Sequence, residues 1–195
     1  MKYDMVIGNP PYGYGSNLAV EFVNKASELS DVVVMVLPRT IRKTSIINKI
    51  NPYMHLVSDQ DNDNDTFNME LYTCSQHWVV KDTKRAPVKR YTKDLVSEYF
   101  EFTDKKNADI AICANGRYQA GQVFVRGEDY GHLKNFDERS ENTHHFIKVL
   151  DKSVIKELSD LQDKFYEASR QVVAQTSLCI DDIVRIYIET YCDVE

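Results

Sequence analysis

Glycine is scarce in this 195-residue chain: there are seven, and none forms a Gly-x-Gly turn between an apolar strand and a helix. Gly13-x-Gly15 has the spacing but follows a Pro-Pro pair, so no glycine-rich nucleotide cradle is readable. The four cysteines, Cys74, Cys113, Cys179 and Cys192, lack the close pairs a zinc site needs. Free thiols in a cytoplasmic protein are the expectation. No stretch approaches the roughly 20 apolar residues of a membrane span, and the first residues lead directly into a short apolar run and two prolines. Neither a span nor a signal peptide is expected. Basic excess is lacking as well: 24 Lys and Arg face 30 Asp and Glu, a formal charge of −6. That excludes a simple charge-driven nucleic-acid coater, but not an enzyme whose basic residues are segregated. Internal repeats and long low-complexity tracts are absent too.

Hydrophobic residues make up 43% and charged residues 28%, enough for a buried core in one domain, or one modest domain with an appendage. Tyr3 to Gly8 reads as a short buried strand, stopped by Pro10 and Pro11, which cannot donate to a ladder. Gly13 to Ser16 reads as a flexible loop. From Asn17 to Ser30, Leu18, Ala19, Phe22, Val23, Ala26 and Leu29 recur at helical spacing, with Ser16 or Asn17 as the cap. Val32 to Leu37 is a continuous apolar run, expected of a strand buried on both faces. Strand, helix and strand in this order predict a βαβ unit and a parallel sheet. A short helix over Thr44 to Ile50 follows, then strands over Tyr53 to Ser58 and Leu71 to Val80. Residues 1–82 thus read as half of a doubly wound α/β sheet.

The basic stretch at Lys84 to Arg90 is the expected boundary, and residues 83–195 read as an α+β region. Residues 92–102 are expected to be helical. Ile110 to Ala114 and Gln122 to Arg126 suggest a hairpin, with Asn115-Gly116 as a turn signal. His145 to Leu150 is a candidate strand. Val154, Ile155, Leu158, Leu161 and Phe165 mark an amphipathic helix, and Ile180 to Tyr191 another.

The most informative feature is Asn9-Pro10-Pro11-Tyr12 directly after the first strand, with a glycine-containing loop, a helix and an apolar strand behind it. This resembles the catalytic motif of amino-group methyltransferases that act on adenine N6 of DNA. The resemblance covers residues 1 to about 82; residues 83–195 resemble the variable target-recognition region only loosely. It implies a partial Rossmann-like methyltransferase sheet followed by an α+β C-terminal region, with S-adenosylmethionine as methyl donor. The residue types suit the chemistry. An adenine amino nitrogen is a poor nucleophile because its lone pair delocalises into the ring. In the implied roles, the Asn9 side-chain oxygen and the Pro10 carbonyl each accept one of its N–H bonds, which stabilises the positive charge developing on nitrogen. Pro10 and Pro11 stiffen the loop, Tyr12 stacks on a base flipped from the duplex, and Gly8 and Gly13 let the loop turn tightly. The same tetrapeptide also serves enzymes that methylate glutamine amides in proteins and some RNA modifiers; the loop and the long C-terminal region favour the DNA family.

The donor motif of that family, a glycine-rich turn between strand and helix with an acid on the ribose, is not legible. Few residues precede Asn9, and Ile180 to Glu195 reads as a helix, so the donor is expected to bind only with a partner chain. Three readings stay open: one subunit of a split enzyme; a degenerate methyltransferase acting as a DNA- or protein-binding decoy or inhibitor in restriction and antirestriction; or a free-standing enzyme with an unrecognised donor site. A half sheet exposes an edge and apolar faces, so a second subunit or self-association is expected in each.

Candidate DNA contacts are Arg39, Arg42 and Lys43 after Pro38, and Lys84, Arg85, Lys89 and Arg90 in the basic stretch; a solvated loop for the first set and a solvated linker for the second are equal alternatives. Asp59, Asp61, Asp63, Asp65 and Glu70 mimic a calcium loop, but Asn64 stands where glycine is needed, and an acidic solvated loop is expected. His144 and His145 would point to opposite sides of a strand and share no metal, one buried and one exposed. Trp78 is expected in the core. Tyr91, Tyr99, Tyr118 and Tyr130 could stack on bases, although packing accounts for most tyrosines.

Overall fold

The computed structural model describes residues 2–63, 72–116, 118–131, 133–170 and 176–192. Its first strand, β1 (Val6–Gly8), is short because Pro10 and Pro11 end the ladder. Helix α1 (Asn17–Leu29) follows, then β2 (Val32–Pro38), α2 (Thr44–Ile47), β3 (Met54–Asp61) and β4 (Thr73–Val80). The sheet order is β1-β2-β4-β3.

The predicted βαβ unit is present: β1 and β2 run parallel, with Ile7 opposite Val34. The expectation of a parallel sheet is corrected beyond that pair, because β4 is antiparallel to both β2 and β3. The connection from Asp61 to Thr73 is too short for the crossover that a parallel return requires. Strand β2 is also less enclosed than expected. Val33, Met35 and Leu37 are buried, while Val32, Val34 and Val36 are only partly so. A bulge between Leu56 and Ser58 leaves Val57 exposed.

The core of this unit lies on one sheet face. Helix α1 turns Ala19, Val20, Val23 and Ala26 onto Val33, Met35, Leu37, Ile41, Ile50, Met54 and Trp78. Each large side chain buried there contributes about 1.5–3 kcal/mol. The expected cap on α1 is absent: Ser16 takes a left-handed conformation and its side chain makes no capping bond. Gly13 to Ser16, read as a flexible loop, ends in a 3-10 turn over Tyr14–Ser16.

The two compact units divide at Arg90, the end of the basic stretch expected as the boundary. Residues 83 to 88 return hydrogen bonds to the first unit. The Arg85 amide donates to the Pro52 carbonyl at 2.8 Å, and the Arg85 guanidinium donates to the carbonyls of Ile47 and Ile50. Val88 and Asn48 exchange a pair of bonds at 2.9 Å. A charge run read as a linker is thus a strap.

The second unit begins at Tyr91. The helix expected over 92–102 is instead a 3-10 turn at Lys93–Val96 followed by strand β5 (Phe100–Thr103). The predicted hairpin is found as β6 (Ile110–Cys113) against β7 (Val123–Val125). Strand β8 (His144–Val149) pairs with both β5 and β6, giving an antiparallel order β5-β8-β6-β7. The long amphipathic helix splits at Leu161 into α3 (Ser153–Asp160) and α4 (Gln162–Ser169). Gln162 anchors the break, accepting from the Val123 amide and donating to the Ser159 carbonyl. Helix α5 (Ile180–Tyr191) has the predicted bounds. One sheet face packs Ile110, Ile112 and Ile147 against Leu158, Phe165, Val184 and Tyr187; the other packs Ala111, Phe124, Phe136 and Phe146.

The described residues thus form a mixed α/β protein with two four-stranded sheets and five α-helices. Among them no helix is long and apolar enough to cross a membrane.

Candidate functional site

Asn9 lies immediately beyond the carboxyl end of β1, the position at which open α/β sheets collect ligands. It is exposed, whereas Pro10 behind it is buried. The loop is held by its own backbone: the Ala19 amide in α1 donates to the Tyr12 carbonyl at 3.3 Å, and the Ser16 amide donates to the Gly13 carbonyl. Gly13 is required here. Its φ is 68°, and a Cβ would come within 2.7 Å of Leu18. At Gly8 a Cβ would sit 3.0 Å from the Met35 sulfur.

The Tyr12 hydroxyl donates to Asn9 Oδ1 at 3.3 Å. Burial, and then the neighbouring Cys74, push this hydroxyl above the ordinary tyrosine range, so it stays protonated and remains a donor near neutrality. The bond orients the Asn9 carboxamide and uses one lone pair of its oxygen, leaving another for an incoming N–H. Pro11 is exposed and Tyr12 is half-buried, so a planar group can approach the tyrosine from solvent.

Behind the loop stands a polar wall that sequence reasoning missed. Arg42 grips Asp59 with both Nε (2.9 Å) and Nη2 (2.6 Å), and reaches Asp61 through Nη1 at 2.6 Å. Arg39 pairs with Asp61 at 3.1 Å. Asp59 also accepts from buried Gln76 at 3.0 Å, and Gln76 accepts from the Trp78 indole at 3.1 Å. Burial, followed by the charge of Asp59, pushes the Cys74 thiol up to about 12. The spacing carried a usable signal: residues two apart in a strand share a face. Asp59 and Asp61 were read as part of a loop, which hid it.

This wall changes the standing of several expected contacts. The carboxylates of β3 hold Arg42 and Arg39, so a phosphate would have to displace an existing ion pair. Arg85 closes carbonyls at the end of α2 and is lowered from its ordinary pKa by burial. Lys84 lies 5.6 Å over the Tyr53 ring. Lys89 and Arg90 are exposed just after the strap and Lys43 is partly buried at the start of α2. In the calcium-like run, Asp59 and Asp61 belong to β3 and are ion-paired, which corrects the expected solvated loop; Asn64, Asp65 and Glu70 lie outside the described residues. No group of metal-ligating side chains occurs among the described residues.

Other expectations resolve in the second unit. His144 and His145 do point to opposite sheet faces, but both are half-buried, not one buried and one exposed. Trp78 is 1% exposed and in the core, as expected. Tyr91 and Tyr130 bond to Glu189 and Glu128, Tyr99 packs on Tyr187, and Tyr118 is 77% exposed. All four cysteines are free thiols.

Among the described residues the turn from β1 into α1, with Gly13 and Gly15, is the one connection from a strand into an α-helix that carries the glycines an S-adenosylmethionine cradle would use. Among the described residues of the first unit, the turn from β1 into α1 is already occupied by Asn9 to Ser16. The strand after it ends in Pro38 and Arg39, with no acid to meet a ribose. In the second unit β8 enters α3 through Leu150-Asp151-Lys152, without glycine. No family model, curated protein or solved structure matches the chain.

Proposed function

We propose that this chain handles an adenine flipped out of DNA for modification at its N6 amino group, and that it is the base-holding part of an adenine-N6 methyltransferase. The supporting observation is the arrangement of Asn9 and Tyr12 at the carboxyl end of β1, with the Tyr12 hydroxyl 3.3 Å from Asn9 Oδ1. In this reading the Asn9 oxygen and the Pro10 carbonyl accept the two amino N–H bonds. Tyr12 stacks on the ring, and the prolines keep the acceptors in place before the base arrives. No donor cradle is assigned among the described residues, so the reading covers base handling and not the transfer step.

The test needs no donor. A duplex carrying 2-aminopurine at an unpaired position gains fluorescence when that base leaves the stack. Titration with the intact chain should raise the signal. Tyr12→Ala should weaken binding by the value of one stacking contact, about 1–3 kcal/mol. Tyr12→Phe, which keeps the ring, should bind near the wild-type level. Equal affinity for Tyr12→Ala and wild type would refute the reading.

A further inference from the structure

Beyond Tyr12, the turn from β1 into α1 carries Tyr14, which is 97% exposed. A lone exposed tyrosine is ordinary. What sets this one apart is the turn that holds it. Gly13 has φ 68°, Gly15 has φ 58° and Ser16 has φ 62°, so Tyr14 stands among residues of positive φ. Serine rarely adopts that conformation, and such strain persists only where the surroundings enforce it. The ends of the turn supply that enforcement. Gly13 lies against Leu18, where a Cβ would come within 2.7 Å, and Ser16 is 3% exposed. The Ser16 amide donates to the Gly13 carbonyl at 3.4 Å, and the Ala19 amide donates to the Tyr12 carbonyl at 3.3 Å. At the tip, a Cβ on Gly15 would meet nothing within 4 Å. The turn is fixed at its base and open at its tip, and the tip carries an aromatic ring.

Reach and chemistry together say what that ring meets. The step from Tyr12 to Tyr14 spans at most about 7 Å of extended chain, so whatever Tyr12 holds lies close to Tyr14. A base taken out of a duplex leaves a gap, and the unstacked neighbours cost free energy that an inserted side chain offsets. A tyrosine ring suits the gap because every base offers a π face. A ring on a turn already fixed loses little freedom on insertion.

From this we infer that Tyr14 enters the base stack of the duplex and fills the gap left by the flipped adenine. The inference rests on the base-handling reading, in which Tyr12 holds that adenine outside the stack.

The experiment measures binding of the full chain to two fluorescently labelled DNAs. One is a duplex with a stable abasic site, which has the gap and no base to flip. The other is a single strand containing adenine, which has the base and no gap. Wild type should bind both. Tyr14→Ala should bind the abasic duplex about tenfold more weakly, the loss of one stacking contact, and the single strand as wild type does. Tyr14→Phe keeps the ring and should stay within about twofold of wild type on both. Tyr12→Ala should show the reverse pattern, weakened on the single strand and unchanged on the abasic duplex. Tyr3→Ala, at another exposed tyrosine of the same unit, should change neither. Thermal melts by circular dichroism check that each variant folds. No binding to the abasic duplex, or equal losses for Tyr14→Ala on the duplex and the single strand, would overturn the inference. Equal affinity of Tyr14→Ala and wild type for the abasic duplex, with Tyr12→Ala still weakened on the single strand, would overturn it and leave the base-handling reading standing. If Tyr14→Ala behaves as expected while Tyr12→Ala binds the single strand as wild type does, the gap filling stands and the base-handling reading fails.

Discussion

Helices α3 to α5 bury one face of the second unit's sheet, and Phe124, Phe136 and Phe146 bury the other. The first unit places its core on one face only, and it leaves Tyr3, Met5, Ile7, Leu18, Phe22 and Leu29 exposed around one edge strand. Both are four-stranded sheets with helices from the same chain. The difference lies in where the apolar surplus goes. In the second unit both sheet faces are covered, although Leu95, Tyr118 and Leu150 stay exposed, so mutations of its enclosed residues should act on stability. In the first unit part of that surplus stays exposed along the edge segment and on α1, so mutations of those exposed residues should leave stability nearly unchanged.

The largest effect should come from the second unit's interior. Phe165 is fully buried, and Phe165→Ala should cost about 3–5 kcal/mol, read from urea unfolding by circular dichroism. A cost below 1 kcal/mol would break the contrast between the units.

Two glycines sharpen it next. Gly121 has φ 84°, and a Cβ there would meet the Tyr166 amide nitrogen at 2.6 Å, whereas Gly15, φ 58°, has open space around it. Gly121→Ala should cost about 2–4 kcal/mol, from backbone strain plus overpacking. Gly15→Ala should cost only the strain, about 1–2 kcal/mol. Thermal melts of the two variants compare them directly, and a reversed ranking would refute the account.

Arg42→Met removes the partner of Asp59 and Asp61 in the first unit. Both Arg42 and Asp59 keep some solvent access, so the cost should be about 1–3 kcal/mol, below that of a fully buried pair. Trp78 fluorescence, which reports on this wall through Gln76, should follow the unfolding.

Acid should act on the second unit. Burial lowers His144 from 6.5 to about 4. The folded state favours the neutral ring, so its contribution is present above pH 6.5 and is lost as pH falls toward 4. The wild-type urea midpoint should drop more between pH 7.5 and 4.5 than that of His144→Gln. Equal drops would exclude His144 as the cause. The smallest effect belongs to the exposed flank: Leu29→Gln should change stability by no more than about 0.5 kcal/mol while reducing aggregation measured by light scattering.

Much of this was readable from pattern. The periodicity of Leu18 to Leu29, the apolar run from Val32, the pairing of β6 with β7 and the bounds of α5 all follow from local spacing, although a nine-residue connection rather than a tight Asn115-Gly116 turn joins β6 to β7. The motif at Asn9 was readable for the same reason, since prolines and glycines report backbone directly. Failures came where distant partners intervene. Asp59 and Asp61 look like a solvated loop until Arg42 is placed opposite them. Residues 83 to 88 look like a linker until Asn48 and Pro52 are seen to hold them. The helix expected over 92–102 became β5 because β8 offered a strand edge to Phe100 and Phe102, which outweighs weak local preference.

The sequence by itself determined the order of elements in the first unit, the position of Asn9-Pro10-Pro11-Tyr12 just past a strand, and the lack of a readable donor turn. These depend on neighbours a few residues apart. Tertiary structure alone decided that β4 inserts antiparallel between β2 and β3, that Arg42 is held by carboxylates, and that Leu18, Phe22 and Leu29 of α1 stay partly exposed. Each of those depends on which surfaces meet across long stretches of chain, where burial and ion pairing outweigh local propensity.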